Sequence, residues 1–391
     1  GENMSQTIPV NPAVLRWARK TAGFSVEEVV RKLDRKRITT DTVINWEIGN
    51  GSPNYIQLET LSYKIYKRPL AIFFFPEPPI EETPKQAFRT LPEQEIQRMS
   101  SRVRYLLRQA ESMQFNLDEL LEGANPAEHQ IVCDRKFTPN TSISEMVTSI
   151  RKYLNVELNT QVQWKNAEEA FKAWRNALEK CGVFVFKEAF KDDSYSGFCL
   201  YDERFPLIYV NNSKPKTRQI FTLFHELCHL LSGTGGVDKP IEDYIDFLQG
   251  DDKRIEVLCN RFAGAFLVPE DDFDKQIASL SINDVTIENL ANRYCVSREV
   301  ILRKFYDRNL VGQQFYKQKV EEWRKEKGKL GKGGNPYFNK GVYLGERYIE
   351  LVFSRLYQNR ISIEQLADYL GVKTKNVHGM EALLFQKGVT V

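Results

Sequence analysis

The sequence FHELCHLL at residues 224–231 constrains this chain more than any other segment, because it places an HExxH motif inside an apolar run. Residues four apart lie on one face of an α-helix, so His225 and His229 can present both imidazoles to one cation, with Glu226 beside them. The whole chain contains only 4 histidines, and the motif holds two of them. The spacing therefore predicts a buried helix that carries two metal ligands and a base.

A zinc site that leaves one position open for water needs a third protein ligand. The segment 254–269 is apolar at helical spacing, places Glu256 and Asn260 on one face, and ends at Pro269. A carboxylate on such a helix needs a partner. We predict that Glu256 completes a site for one zinc ion per chain. The alternative is a chance match in which the histidines are only hydrogen-bonded; the apolar flanks, Glu256 and the scarcity of histidine disfavour it.

Two separated segments carry a family resemblance. RQIFTLFHELCH at 218–229 and EVLCNRFA at 256–263 resemble the signature of the ImmA/IrrE metallopeptidases, proteins of bacteria and mobile elements. The resemblance implies zinc at His225, His229 and Glu256, with Glu226 as the general base. Members act on repressor or antitoxin proteins, so it also implies a protein substrate of that kind, encoded nearby.

Composition limits the remaining function classes. The 391 residues are enough for two to four domains. The sequence shows neither an apolar run of the ~20 residues that span a bilayer nor a signal-peptide pattern, so we expect a soluble, cytoplasmic protein with no membrane contact. The 6 cysteines are scattered without C-x-x-C spacing, which is typical of reduced core thiols. A net charge of +3 is too small to indicate nucleic-acid binding by itself.

The N-terminal segment, with a predicted domain at 4–78, shows four amphipathic helical stretches between residues 9 and 75. Their order resembles an Xre/Cro-type helix-turn-helix, although the family often has Gln where this chain has Val26, and the turn at 34–38 is longer than usual. A basic cluster follows the second helix. Its members are Arg31, Lys32, Arg35, Lys36 and Arg37. Phosphate contacts to DNA and a solvated charged face are both open interpretations of this cluster.

The middle of the chain predicts a helical connector at 79–140 and a zincin-like peptidase domain at 141–275. The connector carries one long helix over 94–115. The peptidase segment shows helices, then three strand-like runs, then the motif helix. The predicted helices are 142–154 and 168–181, and the predicted strands are 183–186, 197–201 and 207–210. The fold class is therefore mainly α with a small β-sheet (α+β).

The remaining segment, 276–391, is predicted to be a helical regulatory or docking domain. Residues 286–297 and 362–372 are alike, and both suit the start of a helix-turn-helix or a plain two-helix packing unit. The glycine- and lysine-rich stretch 324–334 predicts a flexible basic loop, which is a second candidate for nucleic-acid contact.

These patterns favour a zinc endopeptidase in which Glu226 takes a proton from the attacking water. Arg218, Tyr195 and Tyr209 are the candidates to contact the substrate or stabilise the oxyanion. We expect the flanking domains to sense a signal and gate the cleft. Two alternatives stay open: a DNA-binding regulator with a non-catalytic metal site, and an antitoxin-like binding protein.

Overall fold

The computed structural model describes residues 9–240, 244–326 and 336–386. The chain is mainly helical with one four-stranded sheet, so the predicted α+β class is confirmed. It divides into two compact units: one runs up to residue 86 and includes 93–109, and the other comprises 87–92 and 110–391. No helix among the described residues is both long and apolar enough to cross a membrane.

The first unit begins with the predicted helices. Their bounds are α1 Pro12–Ala22, α2 Val26–Leu33, α3 Thr40–Ile48 and α4 Tyr55–Glu59. Side chains of Asn11, Ser25 and Thr39 cap the first three helices. The fourth helix changes at Thr60–Ile65 into a π-helical turn, in which the Tyr66 amide donates to the Leu61 carbonyl. A short 3-10 helix, Leu70–Phe74, follows.

The predicted helix over 94–115 is confirmed at 101–115 but wrong as a single helix, because it is interrupted at 98–100. Two helices occupy it, α6 Glu93–Gln97 and α7 Ser101–Leu120, and the short α5 Pro84–Ala87 precedes them. The break lies where the Ser100 hydroxyl accepts a hydrogen bond from the Val103 amide and so caps the start of α7. A serine cap competes with helix continuation, which is why the apolar spacing alone is misleading here.

The second unit builds its sheet after four helices. The helices are α8 Ile131–Asp134, α9 Ile143–Leu154, α10 Leu158–Gln161 and α11 Ala167–Lys180; the strands are β1 Phe184–Glu188, β2 Gly197–Leu200, β3 Leu207–Asn211 and β4 Gly236–Asp238. The order is β1-β3-β2-β4, with β1 parallel to β3 and the other two pairs antiparallel. The three predicted strands are confirmed, whereas β4, which forms one edge, is an addition to the prediction.

One long helix, α12 Lys216–Leu231, packs against this sheet, and a second, α13 Gly250–Leu267, packs against α12. Twelve residues of α12 are buried, in a core that Trp174 of α11, Phe224 of α12 and Phe266 of α13 share through direct ring contacts. A helix that is apolar nearly all round can be stable only in such an interior position. The polar residues of α12 are consequently held in a water-poor environment.

The rest of the second unit is helical. Its helices are α14 Glu270–Ile277, α15 Asp284–Tyr294, α16 Arg298–Asp307, α17 Gln313–Lys325, α18 Pro336–Leu344, α19 Glu346–Tyr357, α20 Ile363–Leu370 and α21 Val377–Gln386. The two similar segments, 286–297 and 362–372, contain most of α15 and all of α20, and each of these helices is capped by a side chain. The predicted basic loop at 324–334 begins differently, because Arg324 and Lys325 are the last residues of α17. Residues 327–335 lie outside the described part of the chain. All six cysteines are unbridged, and only Cys133 is exposed.

Candidate metal centre

Helix α12 places the HExxH side chains together at the centre of the second unit. His225 and His229 are one turn apart, and their ring centroids are 5.1 Å from each other. Glu226 lies beside them, with one carboxylate oxygen 3.9 Å from Nε2 of His225. All three residues are at most 1% exposed. The predicted helix thus delivers both imidazoles and the carboxylate to one buried place.

Helix α13 supplies the third candidate ligand from the opposite side. Glu256 is 1% exposed, its Oε1 is 2.9 Å from Nε2 of His229, and its Oε2 is 3.9 Å from Nε2 of His225. One donor atom from each of the three residues lies within 4.8 Å of the others. Packing of α12 on α13 therefore creates the three-residue cluster that the two separate motifs indicated.

Hydrogen bonds on the outer nitrogens fix both imidazole rings. Nδ1 of His225 is 3.2 Å from Oδ1 of Asn260, and Nδ1 of His229 is 3.1 Å from the hydroxyl of Thr234. The Asn260 amide group donates to the Glu256 carbonyl, which leaves its oxygen to face His225. A proton on Nδ1 of His225 leaves the Nε2 lone pair for a cation, which is the usual arrangement of metal-binding histidines.

Two hydroxyl groups hold Glu256, and sequence reasoning identified neither. Thr90 donates to Oε1 over 2.8 Å, and Tyr244 donates to Oε2 over 3.2 Å. Both hydroxyl-bearing residues are 1% exposed. They precede Glu256 by long or irregular stretches of chain, so no helical or strand periodicity relates them to it. The only signal that the sequence offers for them is a hydroxyl-bearing residue within an otherwise apolar segment.

Burial perturbs the ionisation of the whole cluster. It lowers the pKa of His225. It also raises the pKa of Glu226 to about 8, although the nearby His229 acts to lower it. Burial also acts to lower the pKa of His229, but the adjoining Glu256 carboxylate outweighs it and raises that pKa to about 9. The pKa of Glu256 is correspondingly lowered, since His229 overcomes the effect of burial. The cluster therefore holds ionised groups in a place where only a close opposite charge can stabilise them.

This donor set fits a zinc-type cation. Nε2 of His225 is buried and has no hydrogen-bond partner among the described residues, and Nε2 of His229 lies 2.9 Å from Oε1 of Glu256. Buried polar atoms are normally satisfied, so two imidazole nitrogens that converge on one carboxylate in this way indicate a site for an electrophilic partner. Two imidazoles and one carboxylate are also the protein ligands of many catalytic zinc sites. His225, His229 and Glu256 would hold the ion, and Glu226 would remain beside it.

The three candidate substrate contacts occupy different surroundings. Arg218, one-third exposed, donates to the buried Asp238 of β4 and to Ser196, and its charge is within electrostatic range of His225. Tyr209 stacks on Phe198, its partner on β2. The next residue of β2, Cys199, faces α12 and contacts Glu226. Because successive strand residues point to opposite faces, the Tyr209 ring lies on the sheet face away from α12. Tyr195 is buried beneath the Lys239 ammonium group. Of the three, only Arg218 lies on α12, the helix that carries His225 and His229.

The predicted basic cluster lies in the first unit. It surrounds the end of α2 and the turn towards α3, where Asp34 takes a left-handed conformation. All five side chains are at least partly exposed: Arg31, Lys32, Arg35, Lys36 and Arg37. In contrast, α3 contains neither lysine nor arginine, and it exposes Ile44 and Ile48.

Comparison with known families places this site in context. Residues 178–306 match the model of the Peptidase_M78 family, the IrrE N-terminal-like domain. The matched segment contains the three candidate ligands and Glu226, and it is about a third of the chain. This part of the chain is thus similar to the metal-dependent peptidases of the ImmA/IrrE type. No curated protein matches the chain.

Proposed function

We propose that the chain is a zinc-dependent endopeptidase that cleaves a partner regulatory protein, a repressor or antitoxin-like regulator encoded nearby. Glu226 carries the proposal. It is fully buried next to the metal cluster, and apart from a weak thiol contact from Cys199 its carboxylate oxygens have no hydrogen-bond partner among the described residues. A purely structural metal site has no use for such a group, whereas hydrolysis requires a base.

The chemistry divides between the ion and the protein. When bound, zinc supplies Lewis-acid activation of water and of the scissile carbonyl. Glu226 takes the proton of the attacking water and passes it to the leaving amine. Without a cation, burial raises the pKa of Glu226 to about 8. The positive charge of bound zinc would lower that pKa and favour the carboxylate form, which is the form that accepts a proton. His225, His229 and Glu256 orient the ion, and their outer hydrogen bonds hold them in place.

Arg218 is the favoured candidate to interact with the substrate carbonyl or backbone. Its guanidinium group is fixed by Asp238 and Ser196 yet one-third exposed, so it combines a defined position with access from solvent. A preorganised cation next to a reacting carbonyl stabilises the negative charge that develops there. Tyr195 and Tyr209 are weaker candidates, because both rings are buried in aromatic or cationic packing.

We propose in addition that the flanking segments gate cleavage in response to a signal, with DNA as the first candidate. The exposed cluster at 31–37 supports phosphate contacts, since it presents five positive side chains to solvent. The same unit gives little support to a sequence-reading regulator, because α3 offers two exposed isoleucines where a recognition helix normally carries base-contacting polar groups. Peptidase activity is therefore favoured over the DNA-binding alternative and over a simple antitoxin-like role.

The decisive variant is Glu226→Gln, which keeps the side-chain shape but cannot accept the proton of water. We expect it to bind zinc as tightly as the wild type in a chelator competition. Cleavage of the adjacent gene's product should fall by at least about 100-fold. Glu288→Gln is the matched control, because this carboxylate is exposed on α15. A Glu226→Gln protein that cuts at the wild-type rate would exclude Glu226 as the base.

The gating proposal is tested in the intact chain. Cleavage is measured alone, with single-stranded DNA and with duplex DNA, for the wild type and for a variant with glutamine at the five basic positions of 31–37. A DNA-dependent rate that disappears in the variant supports the proposal. Equal rates under all conditions would refute gating by DNA.

A further inference from the structure

Residues 87–92 (AFRTLP) belong to the second unit, although the chain on either side of them belongs to the first. Phe88, Thr90 and Leu91 are at most 2% exposed. The ring of Phe88 makes an edge contact with Phe198 of β2, and the Ala87 carbonyl lies against Gly235, where even a methyl group would be only 2.1 Å away. The segment is thus packed into the body that contains the metal cluster.

The interaction that matters chemically is made by Thr90. Its hydroxyl donates to Oε1 of Glu256 over 2.8 Å, and Thr90 is the only residue of the segment with a side-chain hydroxyl. Glu256 cannot obtain this hydrogen bond from solvent, because it is 1% exposed. A buried carboxylate without donors is strongly destabilised relative to water and can rotate away from its position. The donor therefore affects both the charge and the orientation of the carboxylate.

We propose that Thr90 is a positioning residue for the metal ligand Glu256, and that the metal centre is completed by a segment outside the matched peptidase domain. The inference rests on the proposed function, since it assumes that Glu256 binds the ion. Tyr244 holds the other oxygen, so the two hydroxyls together fix the plane of the carboxylate from outside the α12–α13 pair. Partners of metal ligands commonly change metal affinity by about 10–100-fold when removed.

The experiment uses the full chain and the metal alone. Zinc affinity is measured by chelator competition for the wild type, Thr90→Val and Thr90→Ser. Valine has nearly the shape of threonine but no hydroxyl, so we expect a loss of about 10–100-fold, whereas serine should remain within about threefold of the wild type. Thr286→Val is the matched control: Thr286 is also buried, but its hydroxyl donates to the Ser281 carbonyl. It should leave zinc affinity unchanged.

A double-mutant cycle distinguishes positioning from general damage. If Thr90 acts through Glu256, Thr90→Val should cost almost nothing further in a Glu256→Ala background. An equal loss in both backgrounds, or wild-type affinity in Thr90→Val, would overturn the inference. Failure of the wild type to bind zinc at all would instead contradict the proposed function, so the two failures are separate.

Discussion

At Gly236, the addition of a single methyl group should damage the proposed metal centre. Gly236 lies on β4 and faces the ring of His229, and a methyl group added there would be 2.3 Å from Cγ and Cδ2 of that ring. Ordinary contact between carbon atoms begins at about 3.5 Å. Gly236→Ala therefore requires the ring and the strand to separate by about 1 Å.

The ring is the part that should move. Gly236 is paired with Cys199 in the ladder between β4 and β2, so its backbone is held by the sheet. The His229 imidazole is held only by side-chain contacts among the described residues, with Thr234 at Nδ1 and with Glu256 at Nε2. Metal–ligand distances vary by only about 0.2 Å, so a shift of this size removes His229 from the ligand set. We expect zinc affinity to fall by more than about 100-fold, which corresponds to about 2.7 kcal/mol.

The assay combines chelator competition with thermal unfolding in the presence and absence of zinc. Gly264→Ala is the matched control, because Gly264 lies on α13, the helix that carries Glu256, and an added methyl group there meets nothing within 4 Å. The control should keep its zinc and gain about 0.5–1 kcal/mol of stability, as expected for glycine replaced by alanine within a helix. Wild-type zinc affinity in Gly236→Ala would refute the assignment of His229 as a ligand.

Two further predictions concern charges away from the metal. Lys187 of β1 is 3% exposed, and burial lowers its pKa to about 5. Between that pH and about 10.5, the usual pKa of lysine, the unfolded chain therefore binds one more proton than the folded chain. The free energy of unfolding consequently rises with pH in this range. Lys187→Met should stabilise the protein at pH 6 more than at pH 9. Measured by denaturant unfolding, the increase in the free energy of unfolding with pH should become smaller by up to about 1.4 kcal/mol per pH unit. An unchanged pH dependence would contradict this. If the cluster at 31–37 binds duplex DNA, each glutamine that replaces a phosphate-binding side chain should lower the slope of log affinity against log salt by about 0.9 without changing zinc affinity. A slope equal to that of the wild type would show that the cluster is a solvated face.

The parts of the site that the sequence predicted are those governed by local periodicity. His225 and His229 share a helical face because they are four residues apart, and Glu256 stands out as a carboxylate on an apolar helix. Both conclusions require only that the segments be helices. The apolar flanks made that prediction secure, and the same reasoning found three of the four strands.

The parts that the sequence did not predict depend on interactions between distant segments. Strand β4 has three residues, Gly236–Asp238, which is too short to show alternation, and its register is set by β2. Thr90 reaches Glu256 across 166 positions of the chain. Tyr244 lies between β4 and α13, outside any helix or strand whose periodicity could place it. Neither hydroxyl has a spacing that could distinguish it from the other threonines and tyrosines of the chain.

Charge balance explains why these distant interactions and the cation belong together. Asp238 and Arg218 neutralise each other beside the cluster, and Thr222 donates to the second Asp238 oxygen, so that carboxylate needs no further cation. Glu256 is then a buried carboxylate whose close cationic neighbour among the described residues is His229, whereas Glu226, with its pKa raised to about 8, is mostly protonated below that pH in the absence of a cation. A divalent ion takes over the role of the His229 charge beside Glu256 and leaves both imidazoles neutral, as ligands must be. Neutral hydroxyl donors such as Thr90 can orient Glu256 without competing for that charge, which is why a hydroxyl suits this position better than a lysine or arginine would.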